Sequence, residues 1–292
     1  MEVRDVRAYY QIRHGAPIKA VSDVSFNLVH GEILGIVGES GSGKSTLASI
    51  LSSNAAPNLK IQSGLLTLDD RETIDIAKAR GTPRDWRGKV VSLLPQRALN
   101  SLNPTARIGD YAFDVMRAHN SRLHRREALE LAGGRLEELG LPSRVLHNYP
   151  HQLSGGMRQR VVTVIATLLN PTVLIADEPT SALDVSSQKA LILMLQQMMS
   201  EGMISRIIFI THDLPLLSTI ASRIAVMYAG EIVEIGTTRQ VVLQPKHEYS
   251  KTLIGSTLAL DEGLRQRTNK GRQGSSPETR YPPHARKVPS AL

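Results

Sequence analysis

Apolar residues in this chain fall into short runs separated by polar and glycine-containing segments. Two early stretches, Val3–Gln11 and Ala20–Val29, carry β-branched and aromatic residues in partial alternation, which is typical of strands. Continuous apolar runs further along predict the buried strands Ile33–Val37, Lys89–Leu94, Val173–Ala176, Arg206–Ile210 and Ile224–Tyr228. The pattern therefore predicts an α/β domain whose strands recur along most of the chain.

A helical pattern rich in Ala, Leu, Glu and Arg extends from Ile108 to Leu146. Gly133-Gly134 and Gly140-Leu141-Pro142 are expected to interrupt it. We expect a small helical subdomain, about residues 97–165, inserted into the α/β core. The domain is expected to span residues 1–260, because the sequence beyond it becomes rich in Arg, Gly, Ser and Pro and predicts a disordered tail, residues 261–292.

A glycine loop, Gly38-Glu39-Ser40-Gly41-Ser42-Gly43-Lys44-Ser45, follows the strand Ile33–Val37 and precedes a helix-compatible stretch. Strand, loop and helix in this order are typical of a phosphate-binding loop, where converging N–H groups and a helix dipole attract anions. Lys44 is expected to reach the β- and γ-phosphates, and the Ser45 hydroxyl to bind Mg²⁺. The alternative is a surface turn, which the complete pattern disfavours. The residues expected to contact nucleotide here are Gly38, Ser40, Gly41, Gly43, Lys44, Ser45 and Thr46.

Three side chains outside the loop are expected to complete this site. Asp177 ends a buried strand, where a Mg²⁺ ligand sits in nucleotide hydrolases, and Glu178 could accept the proton of an attacking water. A solvated acidic turn before Pro179 is the alternative. Tyr10 precedes a predicted turn, and its ring could either stack on adenine or lie half-buried in a strand.

A second glycine loop, Leu153–Arg160, opens another helix and lacks a lysine at the phosphate position. The Ser154 hydroxyl, the amides of Gly155 and Gly156 and the helix dipole make an anion site. An ordinary N-cap followed by a glycine turn is the alternative. Two phosphate-type loops, of which only the first has a lysine, indicate two subunits that share nucleotides head to tail.

Composition excludes several classes of protein. The chain has no cysteine, which excludes disulfides, Cys-ligated zinc and iron–sulfur clusters. No apolar run approaches a membrane span, and Met1–Asp5 lacks a signal-peptide layout, so a cytosolic protein is expected. The net charge of +8 is concentrated after Gly263, where seven basic residues stand against a single acid. Because the rest is nearly neutral, a nucleic-acid partner is not expected.

Taken together, the motifs resemble those of the ATP-binding-cassette ATPases from about residue 2 to about residue 255. They are, in chain order, Gly38–Ser45, Gln96, Leu153–Arg160, Leu174–Asp184 and Ile210-Thr211-His212-Asp213. Further segments are similar to the oligopeptide, dipeptide and nickel importer ATPases, namely Ser101–Pro104, Tyr149–His151, Val226–Glu231 and His247–Lys251. The resemblance implies a P-loop nucleotide-binding domain with an antiparallel β subdomain and an inserted helical subdomain.

The resemblance also implies a role for each motif residue. Gln96 would bind Mg²⁺ and sense the transporter, and Glu178 would be the general base. Ser154–Gly156 would clamp the γ-phosphate held by the opposite subunit, and Asp184 would belong to a loop at the dimer interface. His212 would contact the γ-phosphate, although a histidine at a strand end is more often a satisfied turn residue.

The function that the resemblance implies is ATP hydrolysis that powers peptide uptake, with ATP and Mg²⁺ as cofactors. The expected partners are two transmembrane permease subunits, an extracytoplasmic solute-binding protein and a second, paralogous ATPase, with a homodimer as the alternative. The chain would lie peripherally on the cytoplasmic face of the inner membrane. Uptake of nickel or oligosaccharide, an exporter ATPase, and a soluble cassette ATPase of DNA repair, chromosome structure or translation are the alternatives.

This sequence departs from the family pattern at two places. Arg97-Ala98-Leu99-Asn100 replaces the acid and proline that usually follow the glutamine, which bears on the surface where a coupling helix of the membrane subunit would dock. Many relatives also carry a cysteine cluster after the His-x-Tyr segment. No iron–sulfur cluster is expected here, since cysteine is missing from the sequence.

Overall fold

The computed structural model describes residues 1–13, 15–69, 73–79, 83, 85–96 and 102–256. Met1–Ile254 form one unit, and only residues 255 and 256 of the second unit, Gly255–Leu292, are described. The predicted tail, residues 261–292, and the departure at Arg97–Asn100 therefore lie outside the described residues.

The continuous apolar runs form a central sheet. Its strands in spatial order are Glu231–Thr237 (β10), Arg223–Tyr228 (β9), Ile33–Val37 (β3), Arg206–Ile210 (β8), Val173–Asp177 (β7) and Val91–Leu94 (β6). Neighbours run parallel except for β10, which pairs antiparallel with β9. Every residue of β3, β7 and β8 is buried, as expected of parallel strands covered on both faces.

The two faces of this sheet belong to two separate apolar clusters. Ile207 and Phe209 of β8 join a cluster with the helices that cover one face. Ile208 and Ile210, which alternate with them, join a second cluster with helix Lys44–Leu51 and the other sheet. Because successive side chains of a strand point to opposite faces, each apolar run contributes to both clusters.

A second, antiparallel sheet packs on that helix and confirms the predicted β subdomain. Its spatial order is Ile18–Asn27 (β2), Glu2–Tyr10 (β1), Leu59–Thr67 (β4) and Ile74–Asp75 (β5). The alternation in β1 and β2 is partial because the register shifts near Asp5 and Asp23, whose φ angles are 50° and 51°. The sequence pattern did not predict β4, since Gly64 interrupts it where a Cβ would lie 2.7 Å from Ile76 Cδ1.

The helical subdomain contains helices Ile108–Arg117, Arg125–Glu138 and Gly155–Ala166, with 3-10 turns at Ser143–His147 and Pro150–Gln152. The prediction that Gly133-Gly134 interrupts a helix is wrong, because both lie inside Arg125–Glu138. A Cβ on Gly133 would sit 3.4 Å from the Ser143 Cβ, in ordinary van der Waals contact. Gly140 does follow the end of this helix, with a φ of 69°.

Two of the remaining helices, Val185–Ser200 and Leu214–Ile220, connect strands of the central sheet. Helix Thr238–Leu243 follows β10, and a further helical segment begins at residue 248. Within the described ranges, no helix combines the length and apolar character that crossing a membrane requires.

Truncation of Phe209 tests whether the central sheet is the stabilising core. Phe209 is 1% exposed, and we expect Phe209→Ala to lower the free energy of unfolding by about 3–5 kcal/mol. Val185→Ala is the control, since Val185 is 82% exposed and should change stability by less than about 0.5 kcal/mol. Urea unfolding followed by circular dichroism measures both, and equal effects would contradict this assignment of the core.

Candidate nucleotide-binding site

The predicted residues around the lysine loop meet at one edge of the central sheet. Strands β3, β8, β7 and β6 are parallel neighbours, so their carboxyl ends lie at the same edge. The segments that follow these ends contain Gly38, Gln96, Glu178 and His212. Residues far apart in sequence are thereby brought together.

The glycine loop wraps around the side chain of Lys44. Lys44 Nζ donates hydrogen bonds to the carbonyl oxygens of Gly38 at 2.8 Å and Glu39 at 2.6 Å, and to Ser42 Oγ at 3.1 Å. Burial lowers the pKa of Lys44, while the nearby acids Glu178 and Asp177 oppose that shift. The loop thus holds a buried amine that faces two carboxylates.

Two glycines of the loop are required by close packing of the backbone. Gly43 precedes helix Lys44–Leu51 with a φ of 103°, and a Cβ there would lie 2.3 Å from the Ala20 carbonyl oxygen. A Cβ on Gly38 would lie 2.1 Å from the carbonyl oxygen of Met227. The loop is therefore packed between β2 and β9, where only glycine fits.

A cavity of about 250 Å³ opens beside this loop. Its lining includes Tyr10, Gln96 and Glu178 together with the loop residues Ser40, Gly41, Gly43, Lys44, Ser45 and Thr46. The Tyr10 hydroxyl is 3.1 Å from Thr46 Oγ1, which links the end of β1 to the loop. Tyr10 thus lies at the site, and its stacking on adenine stays a prediction.

Asp177 is a buried carboxylate with one unsatisfied oxygen. Burial raises its pKa, and a hydrogen bond from Ser45 opposes the shift. Asp177 Oδ1 is buried without a hydrogen-bond partner among the described residues. An unpaired carboxylate oxygen beside a hydroxyl suits a hard divalent cation such as Mg²⁺. No group of three or more His, Cys, Asp and Glu converges in the described part of the chain, so such a cation would also need oxygens from substrate or water.

Glu178 lies between two other predicted residues. Gln96 Nε2 donates a 2.8 Å hydrogen bond to Glu178 Oε2, and His212 Nδ1 is 3.4 Å from Glu178 Oε1. The His212 side chain is 69% exposed, whereas that of Glu178 is 17% exposed. The φ of Glu178 is 47°, a left-handed conformation that costs a residue with a side chain about 1–2 kcal/mol. Such conformations cluster at active sites, where the surrounding structure holds them in place.

The second glycine loop lies at a different surface. Ser154 caps helix Gly155–Ala166 by accepting a 3.3 Å hydrogen bond from the Met157 N–H, and both Ser154 and Gly155 are exposed. Asp184 caps helix Val185–Ser200 and accepts a 2.9 Å hydrogen bond from the Ser187 N–H. Hydrogen bonds from Ser186 and Ser187 hold the pKa of Asp184 well below its usual range. None of Ser154, Gly155, Gly156 and Asp184 lines the described cavity beside Lys44.

One contact with the loop was not predicted from the sequence. The Tyr249 hydroxyl accepts a 2.9 Å hydrogen bond from the backbone N–H of Glu39, and its ring packs on Tyr228 with centroids 4.2 Å apart. In the sequence, the His247-Glu248-Tyr249 segment indicated only a similarity to the importer ATPases and no contact with the loop. Since residues 39 and 249 are 210 positions apart, no local pattern could have joined them.

Replacing the buried carboxylate should stabilise the nucleotide-free protein. The pKa of Asp177 is higher in the folded than in the unfolded chain, so the folded state retains this proton longer and stability falls as pH rises through that interval. We expect Asp177→Asn to raise the melting temperature at pH 7 and to lose that advantage below about pH 4.

The control for this substitution is Asp114→Asn, which removes an exposed carboxylate of helix Ile108–Arg117. It should leave the melting temperature nearly unchanged at both pH values. Thermal unfolding without nucleotide or Mg²⁺ measures both variants. A lower melting temperature for Asp177→Asn at pH 7 would contradict the inferred cost of the buried charge.

Comparisons with known proteins show which family the chain belongs to. The sequence model described as "ABC transporter" matches residues 21–181. The dipeptide transport ATP-binding protein DppD of Lactococcus lactis subsp. cremoris is 39% identical over 90% of this chain and 75% of its own length. The oligopeptide transport ATP-binding protein OppD of Bacillus subtilis is 36% identical over 97% and 78%. The glutathione import ATP-binding protein GsiA of Salmonella paratyphi A is 42% identical over 83% of this chain and 40% of its own length.

A solved structure is also similar. It is the dimeric, post-hydrolysis state of the ATP-binding cassette MJ0796 bound to ADP and Pi, with a TM-score of 0.68, 25% identity, and coverage of 82% of this chain and 98% of that one. Its fold agrees with the α/β core and two subdomains described above. Since the family match and the relatives extend along most of the cassette, this chain belongs to the ABC transporter family of ATP-binding proteins.

Proposed function

We propose that this chain is the ATP-hydrolysing subunit of an importer that takes up peptides. The relatives named for dipeptide, oligopeptide and glutathione transport support the substrate class, with nickel and oligosaccharide as the alternatives. The observation that supports ATP hydrolysis is the position of the Glu178 carboxylate, which lies between Gln96 and His212 beside the lysine loop. The cassette would span residues 1–260, with no part assigned to the basic tail.

The glycine loop would bind the triphosphate of ATP. Lys44 already lies inside the loop, and its amine would meet the β- and γ-phosphates. The N-terminus of helix Lys44–Leu51 adds the positive end of its dipole at the same place. Gly38, Ser40, Gly41, Gly43 and Thr46 would approach the phosphates through their backbone, and the ring of Tyr10 would stack on adenine.

Ser45, Asp177 and Gln96 would hold Mg²⁺. The unpaired Asp177 Oδ1 beside Ser45 fits that ion, and Gln96 lines the same cavity. When bound, Mg²⁺ supplies charge neutralisation on the phosphate oxygens. The charge of the bound ion would offset the burial of the Asp177 carboxylate. This explains why the protein keeps a carboxylate that destabilises it when no ligand is bound.

Glu178 would act as the general base. A water oxygen attacks the γ-phosphorus, the bond from that phosphorus to the β–γ bridging oxygen breaks, and ADP and phosphate leave. The proton of the water passes to the Glu178 carboxylate, which is oriented by the hydrogen bond from Gln96. His212, exposed beside Glu178, would contact the γ-phosphate and help to place the water.

A second ATPase subunit would complete each site. Ser154, Gly155 and Gly156 lie at a helix N-terminus that does not line this chain's own cavity, so they would clamp the γ-phosphate bound by the other subunit. Asp184 would lie at the interface between them. A paralogous ATPase is the favoured partner and a second copy is the alternative; the similar MJ0796 cassette was solved as a dimer.

One of the two permease subunits would dock through a coupling helix at a groove beside the helical subdomain, and the other would dock on the partner ATPase. The groove has a volume of about 410 Å³ and is lined by Pro95, Val115 and Leu169, among others. Pro95 directly precedes Gln96, so a coupling helix in the groove would act on the residue that touches Glu178. With an extracytoplasmic solute-binding protein, the complex would hold this chain peripherally at the cytoplasmic face of the membrane. Closure of the ATPase dimer, favoured by ATP, would drive the permeases.

Loss of the base should abolish turnover and spare binding. We expect Glu178→Gln to lower ATPase activity of the membrane complex by at least about 100-fold, because general-base catalysis is lost, with ATP still bound. Glu130→Gln makes the same change at an exposed side chain of helix Arg125–Glu138 and should leave activity unchanged. Phosphate release and equilibrium ATP binding measure these outcomes. Unchanged turnover in Glu178→Gln would assign hydrolysis to another residue or to the other site.

A charge in the groove should uncouple the chain from its membrane partners. Ala118 is an exposed residue that lines the groove, and we expect Ala118→Asp to reduce recovery of the permeases with a tagged chain while ATP binding persists. Leu131→Asp, at a 54% exposed residue of the helical subdomain outside the groove, is the control. Equal recovery with both variants would place the docking surface elsewhere.

A further inference from the structure

Tyr249 joins the last described helical segment to the phosphate-binding loop. Its hydroxyl accepts the Glu39 N–H at 2.9 Å, and its ring packs on Tyr228, at the end of β9, at an angle of 34°. Burial raises the pKa of Tyr249. This contact lies at the start of the loop and not at Glu178 or His212.

The peptide that Tyr249 touches is the same one that holds Lys44. The Glu39 N–H belongs to the peptide group whose carbonyl is that of Gly38, and that carbonyl accepts Lys44 Nζ at 2.8 Å. In a trans peptide the N–H and C=O point in opposite directions. The hydroxyl and the ammonium therefore hold opposite sides of one peptide plane, and rotation of this plane would break both hydrogen bonds. Linked hydrogen bonds of this kind also polarise and strengthen one another.

The approach of Tyr249 is set by a carboxylate on β10. Glu234 accepts hydrogen bonds from the backbone N–H groups of Lys246 at 2.9 Å and His247 at 3.0 Å. The Tyr249 N–H in turn donates to His247 Nδ1 at 3.2 Å. The segment that carries Tyr249 is thus anchored to the edge of the central sheet before it reaches the loop.

We propose that Tyr249 is a positioning residue of the nucleotide site. Its hydroxyl holds the Gly38–Glu39 peptide, and through it Lys44, so that the loop is already shaped for phosphates when ATP arrives. This inference rests on the proposed ATP-binding function and adds a residue to it. Because Tyr249 contacts none of the residues around the attacking water, it acts on nucleotide affinity and not on the chemical step.

The substitution Tyr249→Phe removes the hydroxyl and keeps the ring on Tyr228. We expect the Kd of the full-length chain for MgATP to rise about fivefold, as the loss of one hydrogen bond implies. In the membrane complex the KM for ATP should rise by a similar factor with kcat unchanged. Tyr111→Phe is the matched control, since the Tyr111 hydroxyl donates a 3.0 Å bond to the Asn103 carbonyl in the helical subdomain.

A second variant tests whether the position of Tyr249 affects ATP binding when its hydroxyl group is retained. Glu234→Leu removes the acceptor for Lys246 and His247, and it should raise the Kd for MgATP although Tyr249 is intact. Isothermal titration calorimetry measures all variants. If wild type binds ATP and Tyr249→Phe matches Tyr111→Phe, or binds more tightly than wild type, the inference is wrong and the proposed function stands. If wild type binds no ATP, both are overturned.

Discussion

The parallel alignment of four strands is the constraint on which this site depends. In the register of the sheet Ile36 and Asp177 both lie opposite Ile210, and Leu94 lies opposite Ala176. The loop that carries Lys44, the acid pair and the segment with His212 therefore begin at the same level. The Glu178 N–H donates to the Ile210 carbonyl at 2.8 Å, which extends this register into the site. A slip of one residue would turn these side chains to opposite faces.

Several features at this edge of the central sheet destabilise the folded protein. Asp177 is buried with an unpaired oxygen, the amine of Lys44 is desolvated, and Glu178 has a left-handed backbone. The strands beneath them are buried on both faces, so the core can sustain that local cost. Such an arrangement is what a preorganised electrostatic site requires, because charges in place before substrate binding need not be reoriented during the reaction.

In the described part of the chain, the two loops that we propose as anion sites lie at separate surfaces. The lysine loop forms a cavity with Gln96 and Glu178, whereas Ser154 and Asp184 cap exposed helices elsewhere. Each cap satisfies backbone groups of its own helix, which accounts for local stability. Under the proposed function, the exposed cap at Ser154 would meet a nucleotide held by another subunit, since helix N-termini attract anions.

The sequence by itself determined what depends on near neighbours. Continuous apolar runs indicated the buried strands, the glycine loop between strand and helix indicated the phosphate site, and Ser154 before two glycines indicated a helix start. Tertiary structure decided the rest: Leu59–Thr67 is a strand although Gly64 breaks its pattern, and Gly133-Gly134 lies inside helix Arg125–Glu138, where Gly133 is next to Ser143. It also brought Gln96 to Glu178 and Tyr249 to Glu39, across 82 and 210 positions. Periodicity reports only which face of its own element a residue occupies, whereas such contacts depend on the order and register of strands in the sheet.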